Sequence, residues 1–534
     1  MSPPITGRNG VVTSAHPLAS AAGLSILKAG GNAIDAAVAT SLVLGVVAPA
    51  FSGVGGGGFM LIQLRDEEAL YIDYRETAPR RARPGMFTAD SEGNVKGFAN
   101  SMGYASVGVP GTVAGLSYAL ENYGRMKFPQ VAAHAISFAK RGFRVSPFVG
   151  TIMSNNVDNA MQKFKSFPET RKQWLKDDRP FRSGDKKTVA DFARVLEHVS
   201  KEGRDGFYNG WPARAIADDM AANGGLIDEE DLAGYSVQVR RPVKGTYRGL
   251  EVRAMPPPSF GGIAIVELLN ILEDLDITGL GLNTAETISV MAKALGAVWP
   301  DLKRKIGDPD FIDVDTPLLT SKDYAAKVWF GRGERGATAD RTGRNWTTHL
   351  SVVDKERNVA AITESIECYF GSGVIAPGTG FFLNDTMHDF DIGRKGPNSI
   401  APGKRPVSNM TPTLLLKDSE PYLVTGSAAG PRIVTATLQS ILNVVDHSLD
   451  IQAAVDAPRF HYQGSGPLKM ESRIGPKVRA RVREMGFESE NPNYVQLRPG
   501  FDVYFGGVNA VLVGKKGELR GGADTRRQGG VAAY

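Results

Sequence analysis

The 534-residue sequence predicts a layered α/β fold, with sheets covered by helices in an αββα or α/β stack. Three observations carry that reading. Helical periodicity dominates the middle of the chain, from about 110 to 310. Short runs with strand character dominate after residue 347. Glycine-rich turns punctuate both without a fixed period, which excludes collagen-like and low-complexity architectures. A chain of this length is too large for one simple core, so it predicts several domain-sized units or one large fused core.

The elements follow in order. Residues 21–27 have helical character and stop at Gly30-Gly31. Asn32 is placed to cap a second helix, 33 to about 47, whose small side chains permit close packing. Gly53-Val54-Gly55-Gly56-Gly57-Gly58 allows tight turns and leads into a strand at 59–64. A second strand, 69–74, ends in Arg75-Glu76. Helices are predicted over 112–122, 129–141, 188–199 and 211–223, and a turn into a helix start at 226–231. Residues 239–255 read as strand. Pro256-Pro257-Pro258-Ser259-Phe260-Gly261-Gly262 is a stiff loop with a flexible end that opens a helix at 263–274. Residues 327–345 are polar, glycine-rich and aperiodic, the best linker in the chain. Strands follow at 350–354, 359–365, 413–417 and 422–425, a helix at 435–445, and strands at 501–504, 510–515 and 518–522.

Composition excludes several function classes. Net charge is +5, from 62 basic and 57 acidic side chains, too little over this length to mark a nucleic-acid partner. The basic runs, such as Arg80-Arg81-Ala82-Arg83, are short and lack interleaved aromatics. The apolar run 36–48 is too short for a membrane span and is broken by Gly45. The first residues lack a charged stretch followed by an apolar one, so a cytoplasmic location is expected. Cys368 is the single cysteine and cannot form a disulfide within the chain. Its neighbourhood offers no histidine partner, so it reads as a small apolar strand residue. The seven histidines have no metal-ligand spacing, and no GxSxG elbow is present. The glycines at 53–58 precede a strand, whereas a phosphate cradle joins a strand to a helix.

What is left is Asn345-Trp346-Thr347-Thr348-His349-Leu350-Ser351-Val352-Val353-Asp354. By itself, Thr347-Thr348-His349 reads as the start of a strand. If Thr347 is released by self-cleavage, one residue supplies both nucleophile and base: its hydroxyl attacks an amide and its freed α-amine takes the proton. The aperiodic segment just before it and the glycine-rich loops after it favour this second reading. On a strand, His349 faces the same way as Thr347, with a packing or hydrogen-bonding role.

Further ordered motifs accompany this run: Asp73-Tyr74-Arg75-Glu76-Thr77-Ala78-Pro79, the 256–262 loop, Phe370-Gly371-Ser372-Gly373, Lys404-Arg405-Pro406-Val407-Ser408, Gly426-Ser427-Ala428-Ala429-Gly430-Pro431-Arg432-Ile433 and Ala457-Pro458-Arg459-Phe460-His461. In these motifs the chain resembles the gamma-glutamyltransferase family of N-terminal nucleophile hydrolases over nearly its whole length. The resemblance implies a four-layer αββα sandwich and a proenzyme that cuts itself between Trp346 and Thr347. The fragments, 1–346 and 347–534, would stay interleaved in one core. Ala429 and Gly430 match the oxyanion position, where the family usually has two glycines. Ser365 matches a threonine that hydrogen-bonds near the nucleophile.

The resemblance also implies the substrate contacts. Arg75 matches the arginine that grips a substrate carboxylate, and Ser408 matches one of two serines beside it, the other being Asn409 here. Asp389 matches the acceptor of a substrate ammonium. Glu367 stands where asparagine is usual, and Thr386 where glutamine or glutamate is usual. The short segment from Asp389 to Lys404 lacks the family's longer lid, which predicts an open cleft. The implied activity is cleavage of γ-glutamyl amides through an acyl-enzyme, with transfer to water or an amine. Glutaryl, oxamate or poly-glutamate amides are the alternative, and an inactive scaffold a third. The expected partner is a small amide carrying a carboxylate, with no metal or cofactor, no nucleic acid and no membrane, and with oligomeric state left open.

Overall fold

The computed structural model describes residues 3–90, 95–331, 346–393 and 395–534. Its frame is a pair of seven-stranded sheets. The strands are β1 (Ile5–Gly7), β2 (Gly10–Ser14), β3 (Gly57–Gln63), β4 (Leu70–Asp73), β5 (Gln238–Arg240), β6 (Val243–Tyr247), β7 (Leu250–Ala254), β8 (Thr347–Asp354), β9 (Val359–Ser365), β10 (Thr413–Lys417), β11 (Glu420–Thr425), β12 (Asn509–Val513), β13 (Leu519–Ala523) and β14 (Gly530–Ala533). One sheet runs β14-β2-β8-β9-β3-β4-β5 and the other β1-β13-β12-β11-β10-β7-β6. Every pairing is antiparallel.

Period-two alternation sorts the side chains into layers. Val11, Phe59, Leu61 and Val353 of the first sheet meet Leu414, Leu416, Val424 and Val511 of the second in a core between the sheets. Their neighbours Val12, Met60, Ile62 and Val352 face the opposite way, into a core shared with α1 (Pro17–Lys28) and α2 (Ala33–Val47). On the far side of the second sheet, Val252, Leu415 and Leu423 pack against α3 (Gly261–Glu273) and α4 (Arg432–Val445). Helix, sheet, sheet, helix is the predicted αββα order.

The local chemistry of α2 is as the sequence implied. The Asn32 side chain accepts from the N–H groups of Ile34 and Asp35, and Asp35 reaches back to the Asn32 N–H. All fifteen residues of the helix are buried. α1 approaches it closely at Gly23, where a Cβ would lie 3.0 Å from the Ala36 carbonyl.

Three expectations need correction. Residues 327–330 belong to a helix, Lys322–Phe330, so the linker read at 327–345 begins later, and its remainder from 332 lies outside the described residues. The strand at 239–255 is three strands, because Arg248 and Gly249 take left-handed backbone conformations and fold β6 back on β7. Only Phe501–Asp502 of the strand at 501–504 is extended, and Val503–Phe505 is a tight helical turn capped by Asp502. The edge strands β1 and β14, and β2 between β14 and β8, were not read from the sequence. The predicted helices of the middle region stand, as Thr112–Tyr123, Phe128–Arg141, Ala190–Glu202 and Trp211–Ala222.

Candidate active site

Thr347 is the first residue of β8, a strand in the middle of its sheet, and is 2% exposed. Across the sheet it pairs with Ser365, which pairs in turn with Gly57. Its side-chain parity is that of Ser351, whose Oγ donates to the Asn509 carbonyl of the second sheet, so Thr347 belongs to the face between the sheets. Trp346 N–H donates to the Glu367 carbonyl at 2.8 Å, extending the ladder one residue beyond the Trp346–Thr347 bond. The Trp346 carbonyl accepts from Ser365 Oγ at 2.7 Å, and the same Oγ accepts from the Glu367 N–H at 2.7 Å. Ser365 therefore aims its proton at the oxygen of the peptide that precedes the threonine. The Thr347 carbonyl accepts from Arg527 Nη1 at 3.0 Å.

The loop after β11 flanks this point. A Cβ at Gly426 would run into the His349 ring, and Arg432, at the start of α4, lies 5.5 Å from the Trp346 ring centroid. Between them, Ala429 and Gly430 have φ of 93° and 50°. Successive N–H groups in a turn conformation can form a concavity suited to an anion. Among the described residues, neither N–H is engaged by another backbone carbonyl. His349 is fully buried, with Nδ1 at 2.8 Å from Thr363 Oγ1 and Nε2 at 3.0 Å from Ser351 Oγ. Burial lowers its pKa to about 3, so it is a neutral, hydrogen-bonded core residue, as expected. Burial likewise raises the Cys368 thiol well above its ordinary value, which makes it a poor nucleophile.

Arg75 follows β4. Its N–H donates to Asp73 Oδ1 at 3.0 Å, and its carbonyl accepts from the Tyr235 hydroxyl at 2.9 Å. The guanidinium is fully buried. Nη1 binds Glu367 and, at 3.4 Å, Glu76; Nη2 binds Asp389; Nε donates to the Pro406 carbonyl at 3.4 Å. Burial alone would weaken its hold on the proton, but Glu367 and Asp389 outweigh that and raise its pKa. Burial raises both Glu76 and Glu367 above the usual carboxylate range. The like charge of Asp389 adds to this at Glu367, and Arg75 opposes it at both.

The other candidates surround this cluster. Thr386 and Asp389 lie on one short helical turn, Thr386–Asp389. A Cβ placed at Gly108 would meet both Thr386 and the Glu76 Cβ, so the two side chains are neighbours. Thr386 Oγ1 and Glu76 Oε1 are buried and have no hydrogen-bond partner among the described residues. Ser408 is buried, with Oγ accepting from Met410 N–H at 3.1 Å, while Asn409 is half-buried and backs onto Gly261 of the 256–262 loop. The segment 406–409 thus runs beside Arg75 and links it to the proline-rich loop.

The structure joins Trp346, Thr347 and Ser365 by direct contacts, with Ala429 and Gly430 on the flanking loop, and joins Arg75, Glu367 and Asp389, with Thr386 on the turn of Asp389 and Ser408 and Asn409 just after Pro406. The two groups share Glu367, whose backbone holds the junction and whose side chain holds Arg75. Among the described residues the cleft is largely closed: Arg75, Thr347, Glu367, Thr386 and Ser408 are withdrawn from solvent, Asp389 and Asn409 are half-buried, and the donors of the arginine are taken by the protein's own acids. Sequence reasoning missed Glu76, although it adjoins Arg75 in the quoted motif. It also missed Asp158, Tyr494 and Arg527, which reach Trp346 from distant segments and left no local signal.

Comparisons with known proteins agree with this fold. The family model described as gamma-glutamyltranspeptidase matches residues 19–534. The chain is 37% identical to the glutathione hydrolase proenzyme of Escherichia coli (strain K12), across 98% of this chain and 91% of that one. It is 36% identical to the acylase ACY 1 proenzyme of Pseudomonas sp. (strain SE83), across 98% and 94%. Among solved structures, the cephalosporin acylase from Bacillus halodurans superposes with a TM-score of 0.86 at 26% identity, covering 100% of this chain and 97% of that chain.

Proposed function

Because this chain belongs to the gamma-glutamyltranspeptidase family, we propose that it is a self-processing threonine amidohydrolase that cleaves γ-glutamyl amides, glutathione among them, and passes the acyl group to water or an amine. The observation that carries this reading is the junction itself: a threonine at the head of a central strand, with a serine hydroxyl donating to the preceding carbonyl.

In processing, Thr347 Oγ adds to the Trp346 carbonyl carbon while Ser365 Oγ–H stabilises the developing oxyanion. The C–N bond breaks, the nitrogen keeps the proton lost from Oγ, and an ester joins Trp346 to Thr347. Water adds to the ester and releases the Trp346 carboxylate and a free Thr347. The α-amine of Thr347 then serves as base for its own hydroxyl. Attack on the substrate amide expels an amine and leaves an acyl-enzyme, and water or an acceptor amine resolves it. The N–H groups of Ala429 and Gly430 would hold the tetrahedral oxyanion, a contribution of ~3–4 kcal/mol in comparable sites.

Charge arithmetic at Arg75 supports a zwitterionic acyl group. A substrate carboxylate entering opposite Arg75 displaces Glu367 or Asp389, and a buried carboxylate without a partner is costly. An α-ammonium on the same substrate gives the displaced acid a new partner, so no charge is stranded. The shortened Thr386 favours a second reading, an acyl group without that ammonium, in line with the acylases among the relatives.

Two measurements test these readings. Thr347→Ala is expected to stay as one band on a denaturing gel and to lack turnover; a cut or active variant refutes the mechanism. Turnover of γ-glutamyl and glutaryl anilides, which differ only in the α-ammonium, separates the two acyl groups. The γ-glutamyl compound is expected to have the higher kcat/KM, and equal values would favour the second reading.

A further inference from the structure

Trp346 is fully buried although it stands at the bond to be cut. Its ring stacks on Tyr369, with centroids 4.5 Å apart and planes 8° apart, and on Tyr494, at 5.1 Å and 20°. The Arg527 and Arg432 guanidiniums lie 5.1 Å and 5.5 Å from its centroid. The indole N–H donates to Asp158, whose other oxygen accepts from the Tyr494 hydroxyl at 3.2 Å. Asp158 sits on a strained turn, since Asn156, Asp158 and Asn159 all have left-handed φ.

Arg527 and Arg432 are also tied to the segments around the reacting bond. Arg527 donates to the Thr347 carbonyl, just after it. Arg432 follows directly on the loop of Ala429 and Gly430. The Tyr369 carbonyl is held by Lys163 Nζ at 2.9 Å. The Trp346 backbone is fixed by Glu367 and Ser365, so the ring pocket removes the remaining freedom of the residue whose carbonyl carbon is attacked.

We propose that Trp346 is a positioning residue for self-cleavage, and that the pocket of Tyr369, Tyr494, Arg432, Arg527 and Asp158 holds its carbonyl in the attack geometry. This rests on the processing mechanism above. A stacked aromatic ring and flanking cations are directional contacts, and a displacement of about 1 Å at a reacting centre costs on the order of 100-fold in rate.

The test is a pulse of cell-free synthesis of the full chain, with conversion of one band into two followed on a denaturing gel. Trp346→Ala and Tyr494→Ala are expected to slow cleavage by about 100-fold and at least tenfold respectively. Trp346→Phe and Tyr494→Phe, which keep the ring, are expected to stay within a few-fold of the parent. Tyr494 is 36% exposed, so its truncation is tolerable to the fold. Melting temperatures of the same variants in a Thr347→Ala background, where no chain is cut, separate positioning from stability and are expected to be unchanged for Tyr494→Ala. Alanine variants that cut as fast as the parent overturn the proposal and leave the mechanism intact. So does slow cutting that tracks a lowered melting temperature. A parent chain that never cuts refutes the mechanism itself.

Discussion

Arg75 shows how one residue can hold both a structure and a ligand. Its guanidinium faces Glu76, Glu367 and Asp389 with almost no solvent nearby. Removing the cation that these three acids share among the described residues forces them to take up protons or lie unpaired, and breaking a buried pair costs ~3–5 kcal/mol where measured. Arg75→Ala is therefore expected to lower stability as well as to weaken substrate binding. The check is thermal melting in the uncut Thr347→Ala background. Arg75→Ala should melt well below the parent, and adding Glu367→Gln and Asp389→Asn should recover much of the loss. A loss confined to KM, with no change in melting, would show that the acids find other partners.

At the scale of elements, the turn from β11 into α4 is where backbone shape and chemistry meet. An alanine at φ 93° is held in a conformation that costs a non-glycine residue ~1–2 kcal/mol. Ala429→Gly is expected to raise the melting temperature and to keep kcat. Ala429→Val crowds the same conformation and is expected to lower kcat by ~100-fold with little effect on KM, as the loss of an oxyanion donor does. A valine variant with parental kcat would remove Ala429 from the oxyanion site. Elements of this kind were uneven in legibility. α2 was readable because Asn32, Asp35 and an unbroken apolar run agree. The central strands were readable from alternation and length. β1, β2 and β14 were not, because their order comes from tertiary pairing rather than from their own residues. The proposed catalytic pair, Thr347 and Ser365, was legible through motif resemblance. The pocket of Trp346 was not, since Asp158, Tyr494 and Arg527 are brought there by the fold alone.

For the whole molecule, the order of strands matters more than the length of either fragment. β8 and β9 lie between β2 and β3, so residues from both sides of position 347 alternate within one sheet, and the core between the sheets draws on both. Cutting the bond removes no hydrogen bond of that ladder. Both fragments are expected to elute as one species in native gel filtration and to separate only in denaturant. Residues 347–534 expressed alone are expected to be insoluble, because β8 and β9 would each lose a neighbour and expose an apolar edge. Separate native peaks, or a soluble isolated fragment, would contradict this strand order.

The position of β8 also gives the protein a history. A strand in the middle of a sheet finds its slot while a covalent tether keeps it near, and the tether is gone once the bond is cut. The mature form is then preserved by slow unfolding rather than by ready return, so its durability is a lifetime and not an equilibrium. A molecule melted after maturation has lost the means of reassembly that its precursor had, and activity lost to heat would come back only through new synthesis.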